Sequence, residues 1–159
     1  MAEGVGSGVL EVTVVSPARP IYDGEARFVT APAWDRLDSG RSLYGGGDSQ
    51  DRLTVGQLGI FPRHAPLVAA LGSGVLRIGL GGGRVARFAV SGGFLKVGDD
   101  RVTVLVDRAV SETDVDAGEA QRELEETLAE LQHPKTDADF AELLERRAWS
   151  ETRIKLARS

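Results

Sequence analysis

The sequence pattern changes abruptly near Val110, and this change constrains the fold more than any other feature. Before Val110 the chain is rich in β-branched residues and glycine, which is typical of short strands joined by tight turns. After Val110 glycine and proline become rare, while Ala, Leu, Glu, Gln and Arg, which favour helix, predominate. We therefore predict a β domain over residues 1–110 and a helical part over residues 111–159.

Glycine-containing turns separate several strand-like segments before Val110. The predicted strands cover residues 10–16, 26–31, 75–80, 84–90, 94–97 and 101–106, with a further short strand leading into Phe61. Gly81 to Gly83 and Gly98 to Asp100 predict hairpin turns, because glycine readily adopts the positive φ that tight turns need. Asp23 and Gly24 are interpreted as another turn. Many short strands joined in this way predict an antiparallel β-sandwich or flattened barrel.

Two helical patterns follow. Asp116 is a predicted N-cap with Glu119 three residues later, and Thr136 begins a second pattern of the same kind. Apolar residues at helical spacing predict the faces that become buried. These residues are Ala117, Ala120, Leu124, Leu128 and Leu131 in the first helix, and Phe140, Ala141, Leu144 and Ala148 in the second. Because only a few residues around Pro134 separate the helices, we predict an antiparallel two-helix hairpin.

The connection over about residues 32–53 is unusually long. It contains four glycines and several Ser and Asp residues, with only scattered apolar side chains. Loops of this length inside a compact domain are uncommon. We interpret the segment as an insertion that extends a surface loop.

Composition excludes several functional classes. The net charge of -5 argues against nucleic-acid binding, and the absence of cysteine excludes disulfide and thiol chemistry. With only two histidines, His64 and His133, a histidine-rich metal site is not expected. The sequence also contains neither a phosphate-binding loop nor a nucleophile elbow, so we predict no catalytic residues. No apolar run approaches the ~20 residues of a membrane span.

Three segments together carry a family resemblance. The first, residues 56–67, combines two glycines and two prolines with His64 among apolar residues; the others are residues 91–97, which begin Ser-Gly-Gly-Phe, and the strand at 102–107. With these segments the chain closely resembles the epsilon subunit of F-type ATP synthases. The resemblance implies a non-catalytic central-stalk subunit that couples proton-driven rotation to ATP synthesis, and whose helices restrain ATP hydrolysis. Two alternatives stay open: a free-standing binding module with dimerising helices, and a nucleotide-sensing regulator.

The resemblance also implies two sets of partner contacts. For the gamma subunit and the c-subunit ring, the residues are Gln57, Leu58, Phe61, Arg63 and His64. For an acidic loop of the catalytic subunit in the alpha/beta head, they are Arg146, Arg147, Arg153, Lys155 and Arg158. From the residues alone, His64 could equally hydrogen-bond backbone groups of its own turn. The basic residues could equally be a solvated face whose cations favour the helix C-terminus.

A nucleotide site is the remaining candidate. Some epsilon subunits carry an aliphatic-Asp-x-x-Arg-Ala motif associated with ATP binding, and Asp116 and Ala120 match it. Glu119 stands where the motif has arginine, which reverses the charge facing a phosphate, although Arg122 lies one turn further on. We expect ATP binding to be weak or absent, with Asp116 and Glu119 capping the helix instead.

The resemblance further implies a location. The chain would be peripheral, on the cytoplasmic face of a bacterial plasma membrane or on an organelle inner membrane. Its contact with the membrane would run only through the complex.

Overall fold

Eight strands precede two helices in the computed structural model, which describes residues 8–35 and 54–159. The strands are β1 Leu10–Val15, β2 Pro20–Ala26, β3 Phe28–Asp35, β4 Thr54–Ile60, β5 Leu67–Ala70, β6 Gly74–Gly81, β7 Arg84–Gly98 and β8 Arg101–Ser111. The helices are α1 Ala117–Glu130 and α2 Asp137–Arg158. The predicted fold class, a β-sandwich followed by a two-helix hairpin, is confirmed.

The strands form one folded sheet in the order β2-β1-β8-β7-β6-β3-β4, and β5 pairs with β7. Neighbouring strands are antiparallel except β1 and β8, which run parallel. The prediction of an antiparallel sandwich or flattened barrel did not specify this parallel pair. β1 and β8 are far apart in sequence, and no local turn signal indicates how such strands pair.

The long strand β7 allows the sheet to fold back on itself. Its first half pairs with β6 and its second half with β5, while β8 runs beside both. Ser91 pairs with Arg108 and Gly93 with Val106, and the register stays constant through this part of the strand pair. Gly93 has φ +113, and a Cβ there would lie 1.8 Å from the Leu105 carbonyl oxygen. Only glycine fits this close approach of the two strands.

The sandwich core is aliphatic. Leu10, Val12 and Val14 alternate inward along β1, and Val102, Val104 and Val106 do the same along β8. Partners from the other strands include Val29, Ile60, Leu76, Ile78, Leu95 and Val97, all nearly fully buried. This two-residue alternation places the intervening side chains on the outer faces, where partners can reach them.

Two local predictions about the strands were wrong. Asp23 and Gly24 do not form a turn; they lie within β2 and pair with Thr13 and Val12. Neighbouring strand pairing overrides their turn propensity. Residues 84–90 and 94–97 are parts of the single strand β7, and the short strand β5 was not predicted.

The helix caps agree with the sequence. Asp116 caps α1 by accepting a hydrogen bond from the Glu119 backbone N–H at 3.0 Å. Thr136 caps α2, and its hydroxyl accepts from the Asp139 N–H at 3.0 Å. Each cap satisfies a donor that the first helical turn leaves unpaired.

The buried face of α2 differs from the predicted one. Phe140, Ala141 and Leu144 are exposed, whereas Leu143 is buried. The other buried residues of α2 are Trp149, Ser150, Thr152, Arg153, Ile154 and Leu156. In α1 Ala120 is buried as predicted, but Leu128 is exposed and Thr127 is buried instead.

The C-terminal half of α2 anchors the hairpin to the sandwich. Trp149 and Leu156 pack with Val75 at the start of β6 and with Ala89 on β7. The half-buried side chains of Val110 and Val115 extend this cluster. The hairpin therefore lies compactly against the sheet.

The predicted inserted loop begins later than residue 32. Pro32, Ala33 and Trp34 belong to β3 and pair with Gln57, Gly56 and Val55 of β4. Residues 36–53, the rest of that prediction, lie outside the described residues. Within the described ranges, neither helix is long and apolar enough to cross a membrane.

Candidate partner-binding surfaces

The turn after β4 presents three of the predicted contact residues. Phe61 is 61% exposed, Arg63 is exposed and His64 is half-buried. The His64 N–H donates to the Phe61 carbonyl oxygen at 3.2 Å, and His64 Nδ1 donates to the Ala65 carbonyl oxygen at 2.8 Å. His64 therefore makes the backbone hydrogen bonds considered from its sequence. With Nδ1 donating, neutral His64 keeps Nε2 as an acceptor.

Contacts from two other elements hold this turn in place. The Phe61 ring packs on Phe28 of β3, with centroids 6.1 Å apart. The Arg63 N–H donates to Asp100 Oδ1, in the turn between β7 and β8, at 2.6 Å. Arg63 has φ +66, a left-handed conformation that costs a non-glycine residue about 1–2 kcal/mol. A hydrogen bond to a carboxylate, worth ~1.5–3 kcal/mol, offsets that cost.

Gln57 and Leu58 lie in a different place from the turn. Together with Trp34 and Gly56 they line one side of a shallow groove, and Val68 and Phe94 line the other. Gln57 is exposed, whereas Leu58 is half-buried and packs against the core. The five residues predicted to bind the gamma subunit and the ring therefore lie in two places. Gln57 and Leu58 line the groove, and the other three lie in the turn after β4.

Beside the groove, the sheet exposes a row of large apolar side chains. Val68 is 68% exposed, Phe94 60% and Leu105 52%. Phe94 and Leu105 are directly opposed in the β7–β8 register, and Val68 opposes Lys96, two residues from Phe94. Directly opposed residues share a face of the sheet. We call Val68, Phe94 and Leu105 the outer apolar row.

Sequence reasoning only partly found this row. Phe94 and Leu105 lie in segments that carry the family resemblance, but neither they nor Val68 were selected as contact residues. For Leu105 a signal existed, because it alternates with the buried residues Val104 and Val106. For Val68 there was none, since residues 67–70 read Leu-Val-Ala-Ala with no polar residue to mark a face.

Three of the five predicted basic residues on α2 form salt bridges within the hairpin. Arg146 Nη1 lies 3.3 Å from Glu130 Oε2, and Arg147 Nε lies 2.9 Å from Glu151 Oε1. Arg153 pairs with Glu123 of α1. The other two, Lys155 and Arg158, are exposed and make no salt bridge with any residue that the structure describes.

Arg153 is the least accessible of these five residues. Its side chain donates to Glu123 and, at 3.3 Å, to Ser150 Oγ, and its guanidinium lies 5.3 Å from the centre of the Trp149 ring. The whole residue is only 9% exposed, and its Nε has no hydrogen-bond partner among the described residues. In this compact arrangement Arg153 joins α1 to α2 and cannot reach a partner.

The three residues named for a nucleotide site, Asp116, Ala120 and Arg122, all lie at the start of α1. The Asp116 carboxylate caps α1, Ala120 is fully buried and Arg122 is exposed. A groove between the helices is lined by Gln121, Leu124, Glu151, Ile154, Lys155 and Arg158. The carboxylate that the motif would use thus already has a structural role as a helix cap.

Comparisons with known proteins agree with this architecture. Residues 52–112 match the family model described as the ATP synthase Delta/Epsilon chain, beta-sandwich domain. The chain is 36% identical over 148 residues to the ATP synthase epsilon chain of Delftia acidovorans, covering 93% of this chain and 89% of that protein. The chain belongs to the ATP synthase epsilon-chain family.

Other members give the same result. The ATP synthase epsilon chain of Neisseria meningitidis serogroup C is 34% identical over 135 residues, which is 84% of this chain and 82% of that one. The predicted family is therefore confirmed. As an epsilon chain, the protein is a non-catalytic subunit of ATP synthase and not an autonomous enzyme.

Solved structures share the fold of this epsilon chain. A chain in a cryo-EM structure of the Euglena gracilis mitochondrial ATP synthase (OSCP/F1/c-ring) superposes with a TM-score of 0.73 at 20% identity, covering 99% of this chain and 86% of that chain. A chain in the central stalk/c-ring structure from Tetrahymena thermophila gives 0.57 at 17% identity, covering 92% and 94%. At these identities the likeness is one of fold.

Proposed function

We propose that this epsilon chain is a central-stalk coupling subunit, with its sandwich bound to the gamma subunit and the c-subunit ring. The observation that carries the proposal is the outer apolar row, because a contiguous exposed apolar surface on a small domain marks an interaction site. Its position beside the groove with Gln57 and Leu58 supports a single continuous interface there. We expect gamma to cover this face.

The turn of Phe61, Arg63 and His64 is suited to a second contact, with the ring. It adjoins the turn that precedes Arg101 of β8, whereas the helices pack near Val110 of the same strand. Nine residues of strand at 3.4 Å each separate Arg101 and Val110 by about 30 Å. Ring contact at one end would thus leave the hairpin at the other end able to move.

The second part of the proposal is that the hairpin restrains ATP hydrolysis by changing between a compact and an extended arrangement. The salt bridges of Arg146 and Arg153 with α1 stabilise the compact arrangement. Extension would break them and release both arginines toward an acidic loop in the alpha/beta head. Lys155 and Arg158 are exposed already and could make the first contact.

The proposed location follows from these partners. The chain would be peripheral, on the cytoplasmic face of the membrane, and held there through the complex.

Two experiments test the proposal. The chain should co-purify with gamma and the c-ring from detergent-solubilised membranes and be monomeric by gel filtration when alone. If the chain self-associated and co-purified with neither partner, the result would instead support a free-standing binding module. Truncation after Ser111 should leave assembly intact and raise ATP hydrolysis by the complex, whereas unchanged hydrolysis would refute the restraining role.

A further inference from the structure

The two-residue turn between β7 and β8 has a side chain directed at another loop. Gly98 and Arg101 pair across the turn, and Asp99 and Asp100 between them have φ +52 and +57. Such values are typical of a tight hairpin turn, in which Asp and Asn are tolerated. The turn conformation alone explains an Asp or Asn at either position. It does not explain why one carboxylate bonds to a distant residue.

Asp100 connects three parts of the chain. Its backbone carbonyl accepts a hydrogen bond from the Glu11 N–H of β1 at 2.9 Å. Its side-chain Oδ1 accepts from the Arg63 N–H at 2.6 Å, across 37 positions of sequence. The first bond fixes the hairpin turn to the sheet. The second therefore ties the Phe61–His64 turn to a rigid base.

Arg63 is the residue for which such an anchor matters. It is the one non-glycine residue of the described ranges, apart from Asp99 and Asp100 themselves, with positive φ. Unlike Asp and Asn, arginine has no short side chain that stabilises this conformation locally. The turn conformation thus needs support from elsewhere, and Asp100 is placed to provide it.

We propose that Asp100 is a positioning residue that holds Phe61, Arg63 and His64 in the conformation that binds the rotor ring. This inference rests on the proposed ring contact. Asp100 acts through the Arg63 backbone and need not touch the ring itself. Its removal should leave the sandwich folded while loosening the turn.

Three variants separate this role from the needs of the hairpin turn. Asp100→Gly keeps a residue that accepts positive φ but removes the carboxylate. Asp100→Asn keeps both positive φ and a side-chain oxygen acceptor. Asp99→Gly makes the same change at the neighbouring position, whose side chain is exposed. A role in turn formation alone would not distinguish Asp100→Gly from Asp100→Asn.

Amide hydrogen exchange of the full chain, followed by NMR, directly measures whether the hydrogen bond from Arg63 to Asp100 protects the Arg63 amide. The Arg63 amide should exchange roughly tenfold faster in Asp100→Gly, with little change in Asp100→Asn and Asp99→Gly. The thermal midpoint should fall by only a few degrees in Asp100→Gly and stay close to wild type in the other two. In an Arg63→Gly background, Asp100→Gly should change exchange at the His64 amide much less, because glycine needs no support at positive φ.

Binding to the purified c-ring–gamma subcomplex completes the test. Affinity should fall at least fivefold for Asp100→Gly and recover in Asp100→Asn. An unchanged exchange rate of the Arg63 amide in Asp100→Gly would show that the Asp100 carboxylate does not stabilise the turn, and would overturn the proposal. Faster exchange with unchanged affinity would overturn the positioning role while leaving the proposed function standing. Failure of the wild-type chain to bind the subcomplex would overturn both.

Discussion

The guanidinium of Arg108, on β8, lies 5.1 Å from the centre of the Trp149 ring on α2, and this contact joins the sheet to the helical hairpin. Arg153 lies 5.3 Å from the same ring. Trp149 thus contacts one arginine from the sandwich and one from its own helix, and packs on Val75 and Ala89. Cation–π contacts of this kind contribute about 0.5–2 kcal/mol each. Trp149 therefore helps to attach the hairpin to the sandwich.

Replacing Trp149 should detach the hairpin. Trp149→Ala removes a buried side chain and should lower the free energy of unfolding by about 3–5 kcal/mol in denaturant titrations. Limited proteolysis should then cut faster between β8 and α1. Phe140→Ala, which changes an aromatic residue of the same helix that is 44% exposed, should cost less than ~1 kcal/mol. Equal effects of the two substitutions would contradict this role for Trp149.

The Arg153–Glu123 pair should control the balance between compact and extended hairpins. Glu123→Gln weakens the pair but leaves Arg153 able to bind an acidic partner. It should therefore favour extension and lower ATP hydrolysis by the assembled complex. Arg153→Gln removes both the internal pair and the partner contact, so hydrolysis should rise.

Steady-state ATP hydrolysis, measured on complexes containing equal amounts of each variant, checks this prediction. Lys135→Gln is a matched control, since Lys135 is exposed in the loop before α2 and makes no salt bridge within the described residues. If Glu123→Gln and Arg153→Gln changed hydrolysis in the same direction, Arg153 would not serve in both arrangements.

Asp116 should behave as a helix cap. Asp116→Ala should lower stability by ~1 kcal/mol, whereas Asp116→Asn should change it little, because asparagine caps equally well. Both changes can be followed by thermal or denaturant unfolding monitored by circular dichroism. Isothermal titration calorimetry of the wild-type chain should detect no micromolar ATP binding. Micromolar affinity that Asp116→Ala abolishes would show that this residue belongs to a nucleotide site.

The sequence predicted the elements whose signals are local. Gly81 to Gly83 and Gly98 to Asp100 do form hairpin turns, and Asp116 and Thr136 do cap the helices. Each of these features depends on a few neighbouring residues. By contrast, Asp23 and Gly24 were mistaken for a turn because their pairing with β1 is a tertiary contact.

The buried face of α2 could not be predicted from its apolar pattern. Phe140 and Leu144 form the more regular apolar stripe, yet both are exposed. Buried positions in the second half of α2 include Ser150, Thr152 and Arg153. These polar residues are buried because this half of α2 contacts both α1 and the sheet. Hydrophobic periodicity describes a helix with one buried face and fails for a helix with two.

The residues of the candidate partner surfaces could also be predicted only in part, because some of them come together only through tertiary contacts. Phe61, Arg63 and His64 were selected as candidates because their segment resembles a known family, and their role stays a prediction. Val68 and Leu105 required the strand register, which shows that they share an outer face with Phe94. The sequence of one strand does not determine which residues of a neighbouring strand lie opposite it.

The affinity of the full chain for the isolated gamma subunit tests the central claim most directly. The double variant Phe94→Ser with Leu105→Ser should bind at least tenfold more weakly, since burying one large apolar side chain contributes about 1.5–3 kcal/mol. Its thermal midpoint should barely change, because both residues are more than half exposed. Leu144→Ser, on the exposed face of α2, should bind as the wild type does. Equal affinity of wild type and double variant, or no binding of gamma by the wild type, would contradict the account.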